Sequence, residues 1–199
     1  MTRIKLCGMM QPKDIIAASE LGADYVGFIL TEGFRRSVSL ETFLQLYKIL
    51  DSRCKAVGVF VDEALEEIAE KYADKLDVIQ LHGMEDNEYI ARLRELTGKP
   101  IIKAFKVTSE ADIKLANKSD ADYVLLDSGT GTGKVFDHSL IKGIDREFFL
   151  AGGLTAENVG EAIKAVRPFA VDASSCLETD GRKDKNKLAE FVSAVRKEG

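Results

Sequence analysis

Short apolar runs punctuate the chain at near-regular intervals: IKLC (4–7), YVGFIL (25–30), AVGVFV (56–61), VIQLH (78–82), PIIKAF (100–105), YVLLD (123–127), FFLAG (148–152) and FAVDAS (169–174). Their β-branched and aromatic content predicts eight strands, whose starts recur at roughly 20–25 residues, the length of one strand–helix unit with short loops. Nearly every position in these runs is apolar, rather than every second one, so both faces of the sheet are expected to be buried. The intervening segments carry helical periodicity with recognisable ends. Pro12 suits a first helical turn and Gly22 a C-terminal stop. Ser39 is placed as an N-cap, with Leu40, Phe43, Leu44 and Tyr47 following on one face. Thr155 is expected to cap a further helix that Pro168 ends.

Eight such units in an unbroken chain point to an α/β protein with a (β/α)8 TIM barrel spanning residues 1–199 as a single domain. An open doubly wound sheet is the alternative architecture. With 199 residues the chain is long enough to bury a sizeable core, and 45% hydrophobic with 31% charged residues is an ordinary globular profile. A net charge of -5 argues against general affinity for nucleic acid or an anionic membrane. No stretch approaches the roughly 20 apolar residues of a membrane span. The start, MTRIKLCGMM, turns polar at Gln11 and Pro12, so no signal peptide is expected. Cys7, Cys54 and Cys176 make an odd set without zinc-type spacing, which suggests reduced thiols in a cytoplasmic protein and no metal site.

In a (β/α)8 barrel the C-terminal ends of the strands carry the chemistry. Polar residues at the ends of the apolar runs are Cys7, Asp62, His82, Asp127, Gly152, Gly153, Asp172, Ser174 and Ser175. Cys7 reads two ways from position alone, as a buried core thiol or as a nucleophile or base at a strand tip. The strongest signal lies in the last quarter. AGGL after the seventh run and DASSC after the eighth occupy the usual phosphate-binding place of these barrels, where open backbone N–H groups and a helix start favour an anion. The stretch DSGTGTGKVFD (127–137) resembles part of a P-loop, but Ser128 and Val135 stand where that motif needs Gly and Ser or Thr. A glycine-rich lid over a substrate, or a plain surface loop, are the two readings of it.

These pieces, in this order, resemble the phosphoribosylanthranilate isomerases of tryptophan biosynthesis. The likeness rests on KLCGM, GADYVGFI, QLHG, LLDSGTGTGKVFD, AGGLTAENV, RPFAVDASSCLE and GRKD, and it spans nearly the whole chain. It implies a (β/α)8 fold, no cofactor, and a small phosphoribosyl substrate held by its 5′-phosphate, with the protein a monomer or a homodimer. The family's reaction is an Amadori rearrangement: an acid protonates the furanose oxygen and opens the ring, and a base then removes the C2′ proton. The resemblance makes Cys7 the base and Asp127 the acid. A base of this kind is expected to have a thiol value near or below the usual ~8.5, with Lys5 a candidate to assist. Asp127 must carry a proton when substrate binds. Arg36 corresponds to the arginine that holds the anthranilate carboxylate, with the adjoining Arg35 as the other register. By the same likeness Gly152, Gly153, Ser174 and Ser175 hold the phosphate, and Gln80, His82 and Asp172 face the pocket.

Departures from the family pattern are few. Cys176 follows Ser174 and Ser175 where glycine is common, His138 stands where Trp is common, and TEGFRRSVS lacks the usual Pro before the arginine. Two rivals remain at this level. A sugar-phosphate epimerase or dual-substrate isomerase on the same scaffold is expected to use carboxylate bases, and a non-catalytic phosphosugar-binding subunit is expected to lose Cys7 or Asp127.

Overall fold

The structure, a computed structural model, describes residues 1–127 and 138–198. Its strands are β1 (Arg3–Cys7), β2 (Tyr25–Ile29), β3 (Lys55–Phe60), β4 (Val78–Leu81), β5 (Ile101–Lys106), β6 (Tyr123–Asp127), β7 (Phe148–Ala151) and β8 (Ala170–Ala173). All pair in parallel with their sequence neighbours, and β8 pairs back to β1, which closes the barrel. Closure removes the open doubly wound sheet from consideration.

Helices α1 (Pro12–Glu20), α2 (Leu40–Tyr47), α3 (Leu65–Lys71), α4 (Asn87–Thr97), α5 (Glu110–Asn117), α6 (Val159–Val166) and α7 (Lys185–Arg196) surround it. Two helix starts follow the expected chemistry. Pro12 occupies the first turn of α1, and the Ser39 hydroxyl accepts from the Thr42 N–H ahead of α2. The start of α6 differs from expectation. Asn158, not Thr155, stands immediately before it and makes no side-chain capping bond, and the Thr155 carbonyl accepts from the N–H groups of Asn158 and Val159 in a preceding turn. Between β6 and β7 the described residues hold only a 3-10 segment, His138–Gly143. That linking sequence contains Gly129, Gly131, Gly133 and Gly143, each costing a helix about 1 kcal/mol relative to alanine. The loop read as a lid, 128–137, lies outside the described residues, as does the side chain of His138.

The period of two along each strand separates two cores. Outward residues such as Ile4, Leu6, Val26, Phe28 and Phe60 pack beneath the helices. Inward residues Tyr25, Val57, Ile102, Leu125 and Phe149 fill the lower barrel. Phe149 is fully buried, with ring centroids 5.4 Å from Tyr25, 5.8 Å from Tyr123 and 5.5 Å from Phe169. Burying a ring of this size stabilises the fold by about 1.5–3 kcal/mol, and here it also plugs the interior. Above that plug the interior turns polar: Lys5 on β1 lies opposite Asp172 on β8, both side chains turned inward.

Candidate active site

Each strand's inward series continues past the plug to the C-terminal mouth. On β1 it runs Lys5 then Cys7, on β4 Gln80 then His82, on β6 Leu125 then Asp127, and on β8 Asp172 then Ser174. A cavity of about 630 Å³ opens there. It is lined by Cys7, Arg36, Gln80, His82, Asp127, Gly152, Gly153, Asp172, Ser174 and Ser175, so the structure brings all ten sequence-derived candidates to one place. Asp62 lies apart from this lining; its carboxylate accepts from the Met84 N–H.

Cys7 ends β1 opposite Gly27 of β2. A Cβ at position 27 would stand 2.7 Å from the Cys7 sulfur, so only glycine leaves room for the thiol to point into the barrel. Burial pushes the Cys7 thiol above its ordinary value, and Asp172 adds to the rise, while the ammonium groups of Lys5 and Lys183 pull it down. This departs from the expected value near or below that of a free thiol. The reason is depth: Cys7 is 7% exposed, and two nearby cations do not offset the loss of water.

Lys5 does share a face with Cys7, but its closest partner is Asp172, at 2.9 Å. Burial works against the Lys5 ammonium, yet Asp172 and Cys7 outweigh it and hold lysine above its usual range. Burial raises Asp172 despite Lys5, with Asp127 adding to the rise, and its Oδ1 has no hydrogen-bond partner among the described residues.

Arg36 reaches the cavity wall and is 18% exposed at its side chain, whereas Arg35 turns outward at 55%. Both bind Glu178: Arg36 Nε at 2.5 Å, Arg36 Nη2 at 3.2 Å and Arg35 Nη2 at 2.6 Å. The structure thus puts Arg36, not Arg35, where a bound carboxylate can meet it.

Gln80 is buried, and its side-chain amide nitrogen lies 3.1 Å from His82 Nδ1. His82 Nε2 stands 4.0 Å from Asp127 Oδ2. Loss of solvent at the rim lowers the His82 value, with Lys5 and Lys103 adding to the fall and Asp127 opposing it, so the ring is neutral at pH 7.

On the phosphate side, Gly152 and Gly153 take φ of +87° and +67°, a left-handed pair that other residues adopt only with strain. Asn158 pins this loop, donating to the Gly153 carbonyl at 2.9 Å and accepting from the Thr155 N–H at 2.8 Å. After β8, Ser175–Leu177 form a single 3-10 turn, a shorter helix start than a standard barrel phosphate site offers. Ser174 Oγ donates to the Cys7 carbonyl at 3.1 Å, tying this loop to β1. Burial raises the Cys176 thiol to about 11. No cluster of three or more His, Cys, Asp and Glu among the described residues could hold a metal ion.

Sequence reading missed two residues that shape the site, Glu178 and Lys183. They lie on a small hairpin, β9 (Glu178–Thr179) and β10 (Arg182–Lys183). The signal was present: Asp180-Gly181 is a two-residue hairpin turn, and both residues have positive φ, +49° and +75°.

Comparison with known proteins coincides with this geometry. The profile of the N-(5′-phosphoribosyl)anthranilate (PRA) isomerases matches residues 4–194. The chain belongs to the PRA isomerase family. It is 43% identical over 206 residues to the N-(5′-phosphoribosyl)anthranilate isomerase of Caldanaerobacter subterraneus subsp. tengcongensis, covering 98% of each chain. The phosphoribosyl anthranilate isomerase of Thermotoga maritima superposes with a TM-score of 0.90 at 36% identity, over 99% of this chain and 100% of that one. A further PRA isomerase, solved in complex with reduced 1-(o-carboxyphenylamino)-1-deoxyribulose 5-phosphate, superposes with a TM-score of 0.87 at 35% identity, over 99% and 100%. Among PRA isomerases this chain therefore aligns end to end, with no long insertion. Among the described residues, no helix is long and apolar enough to cross a membrane.

Proposed function

We propose that the chain isomerises N-(5′-phosphoribosyl)anthranilate to 1-(2-carboxyphenylamino)-1-deoxyribulose 5-phosphate, a step of tryptophan biosynthesis, by general acid–base catalysis without a cofactor. The observation that carries this reading is the meeting of a thiol, a carboxyl group, a guanidinium and two phosphate-side loops around one cavity in a member of this family. Gly152, Gly153, Ser174 and Ser175 take the 5′-phosphate, and Arg36 takes the anthranilate carboxylate. Anchored at its phosphate and its carboxylate, the substrate has its ribose held in the mouth lined by Cys7 on β1 and Asp127 on β6.

Asp127 gives its proton to the furanose oxygen, the ring C1′–O bond breaks, and the nitrogen lone pair forms a cationic imine. The Cys7 thiolate then removes the C2′ proton, and the C2′–H electrons neutralise the imine as an enolamine. Tautomerisation yields the ketone. The cation is itself part of the mechanism, because a positive charge beside a buried thiol favours the thiolate at the moment it is needed. His82, whose Nε2 stands 4.0 Å from Asp127 Oδ2, is placed to stabilise the carboxylate that remains once the proton has left, and Asp172 keeps Lys5 in place beneath Cys7.

The test is direct. Purified protein added to freshly generated substrate should abolish its fluorescence at a rate proportional to enzyme. Arg36→Ala should raise KM by about tenfold or more with a smaller change in kcat. A folded wild-type protein that leaves the fluorescence untouched, or an Arg36→Ala variant with unaltered KM, contradicts the reading.

A further inference from the structure

We propose that Glu178 and Lys183 are positioning residues of the active site: Glu178 fixes the Arg36 guanidinium at the cavity wall, and Lys183 locks the loop after β8 and presents its charge to Cys7. The part that concerns substrate rests on the function proposed above.

The hairpin geometry makes this possible. The Asp180-Gly181 turn sets the register, and in that register Lys183 lies directly opposite Glu178. Both side chains turn inward, Lys183 with no exposure and Glu178 with 6%. The Lys183 ammonium donates to the Ser174 carbonyl at 2.9 Å, to Glu178 Oε1 at 3.1 Å and more weakly toward Ser174 Oγ at 3.5 Å. Three acceptors match the three N–H donors of an ammonium. A buried lysine is costly to keep charged, and its burial lowers the Lys183 value while Glu178 opposes that fall. A hairpin that only returned the chain to α7 has no need of it.

Charge then settles what the pair does. Arg35, Arg36 and Lys183 all converge on the Glu178 carboxylate. Burial works against that carboxylate, but the hydrogen bonds from Arg36 and Arg35, with Lys183, hold it at about 2. One carboxylate therefore anchors three cations and leaves an excess of positive charge at the wall. That excess favours the substrate carboxylate at Arg36 and the thiolate at Cys7. The charged groups facing Cys7 are Lys5 from β1, Asp172 from β8 and Lys183 from β10; Lys5 pulls the thiol down most, and Lys183, held on Ser174, whose hydroxyl donates to the Cys7 carbonyl, adds to that pull. Lys183 in turn faces Glu178, Cys7 and Arg36.

The experiment uses Glu178→Gln, Lys183→Gln and Lys183→Arg in the full chain. Alkylation of Cys7 by iodoacetamide is followed across pH by mass spectrometry of the Cys7 peptide, which separates it from Cys54 and Cys176. Lys183→Gln keeps a donor for the Ser174 carbonyl but loses the charge. Its alkylation midpoint should rise by about one pH unit, so that Cys7 reacts about tenfold more slowly below the midpoint. Lys183→Arg should restore the wild-type profile. Glu178→Gln should raise KM about tenfold with kcat within about threefold of wild type. Should Lys183→Gln fail to fold, Lys183→Met, which keeps the stem without the charge, takes its place for the Cys7 midpoint; should Glu178→Gln fail, Glu178→Asp, which shortens the reach to Arg36, takes its place for KM. A folded Lys183→Gln protein with an unmoved Cys7 midpoint, or Glu178→Gln with wild-type KM, overturns the proposal; a purely structural pair would lower Tm and move neither. The alkylation arm needs no substrate. A wild-type protein without isomerase activity would thus sink the proposed function while the effect of Lys183 on Cys7 is still decided.

Discussion

Burial is the chief obstacle to Cys7 serving as a base, and the residues around it show how the obstacle is met. A base works only when deprotonated, so a raised thiol value moves the acid limb of activity to the alkaline side of an ordinary thiol, near 8.5. In kcat/KM, which reports the free enzyme, that limb should therefore lie above about pH 8.5. In kcat, which reports the complex, it should lie lower, because the cationic imine joins Lys5 and Lys183 in favouring the thiolate. A pH–rate study decides it; a kcat/KM limb below the ordinary thiol value would contradict the buried environment described here. The places of Cys7 and Asp127 at the mouth were legible in the sequence because each ends an apolar run, and the proposal of a base rather than a core thiol rests on the family likeness. The rise in the thiol value was not legible, since it comes chiefly from the burial of Cys7 once the barrel closes, to which Asp172, 165 positions along the chain, adds. Arg36 was favoured over Arg35 in the sequence, and the cavity wall, which Arg36 lines while Arg35 turns outward, agrees with that choice.

At the scale of elements, the working parts are carried by rigid strands and trimmed by short turns. Pairing of β1 with β2 sets Cys7 against Gly27, and this contact can be tested by a single methyl group. In Gly27→Ala the new Cβ would lie 2.7 Å from the sulfur and 3.2 Å from the Cys7 Cα, with no flexible chain end to yield. Overpacking of this kind costs about 1–3 kcal/mol, and the displaced thiol should lower kcat by about ten- to a hundredfold. Thermal melting and steady-state kinetics check both; a wild-type kcat would show that the thiol does not need this space. The helix ends at Pro12 and Ser39 could be read because their chemistry is local. The start of α6 could not, because Asn158 is spent pinning the Gly153 loop before the helix begins. Glu178 and Lys183 stood within the family-like stretches RPFAVDASSCLE and GRKD, but their roles were not legible there, because only the docking of the hairpin 178–183 buries them.

For the whole molecule, the repeat of apolar runs specified the closed barrel, because eight parallel strands buried on both faces leave no edge exposed once the last meets the first. Between β6 and β7 the described residues hold a 3-10 segment, His138–Gly143, in place of an α-helix. The fold thereby gathers side chains from β1, β4, β6 and β8, and from the loop after β2, into one mouth, with the aromatic plug beneath it. The most direct measurement is the rate of substrate fluorescence loss at saturation in the wild-type protein, in Cys7→Ser and in Asp127→Asn, each shown to be folded. The expected result is rapid loss in the wild type and at least about a hundredfold lower turnover in both variants, with substrate still bound. Near-normal turnover in either variant would contradict an acid–base pair of Cys7 and Asp127.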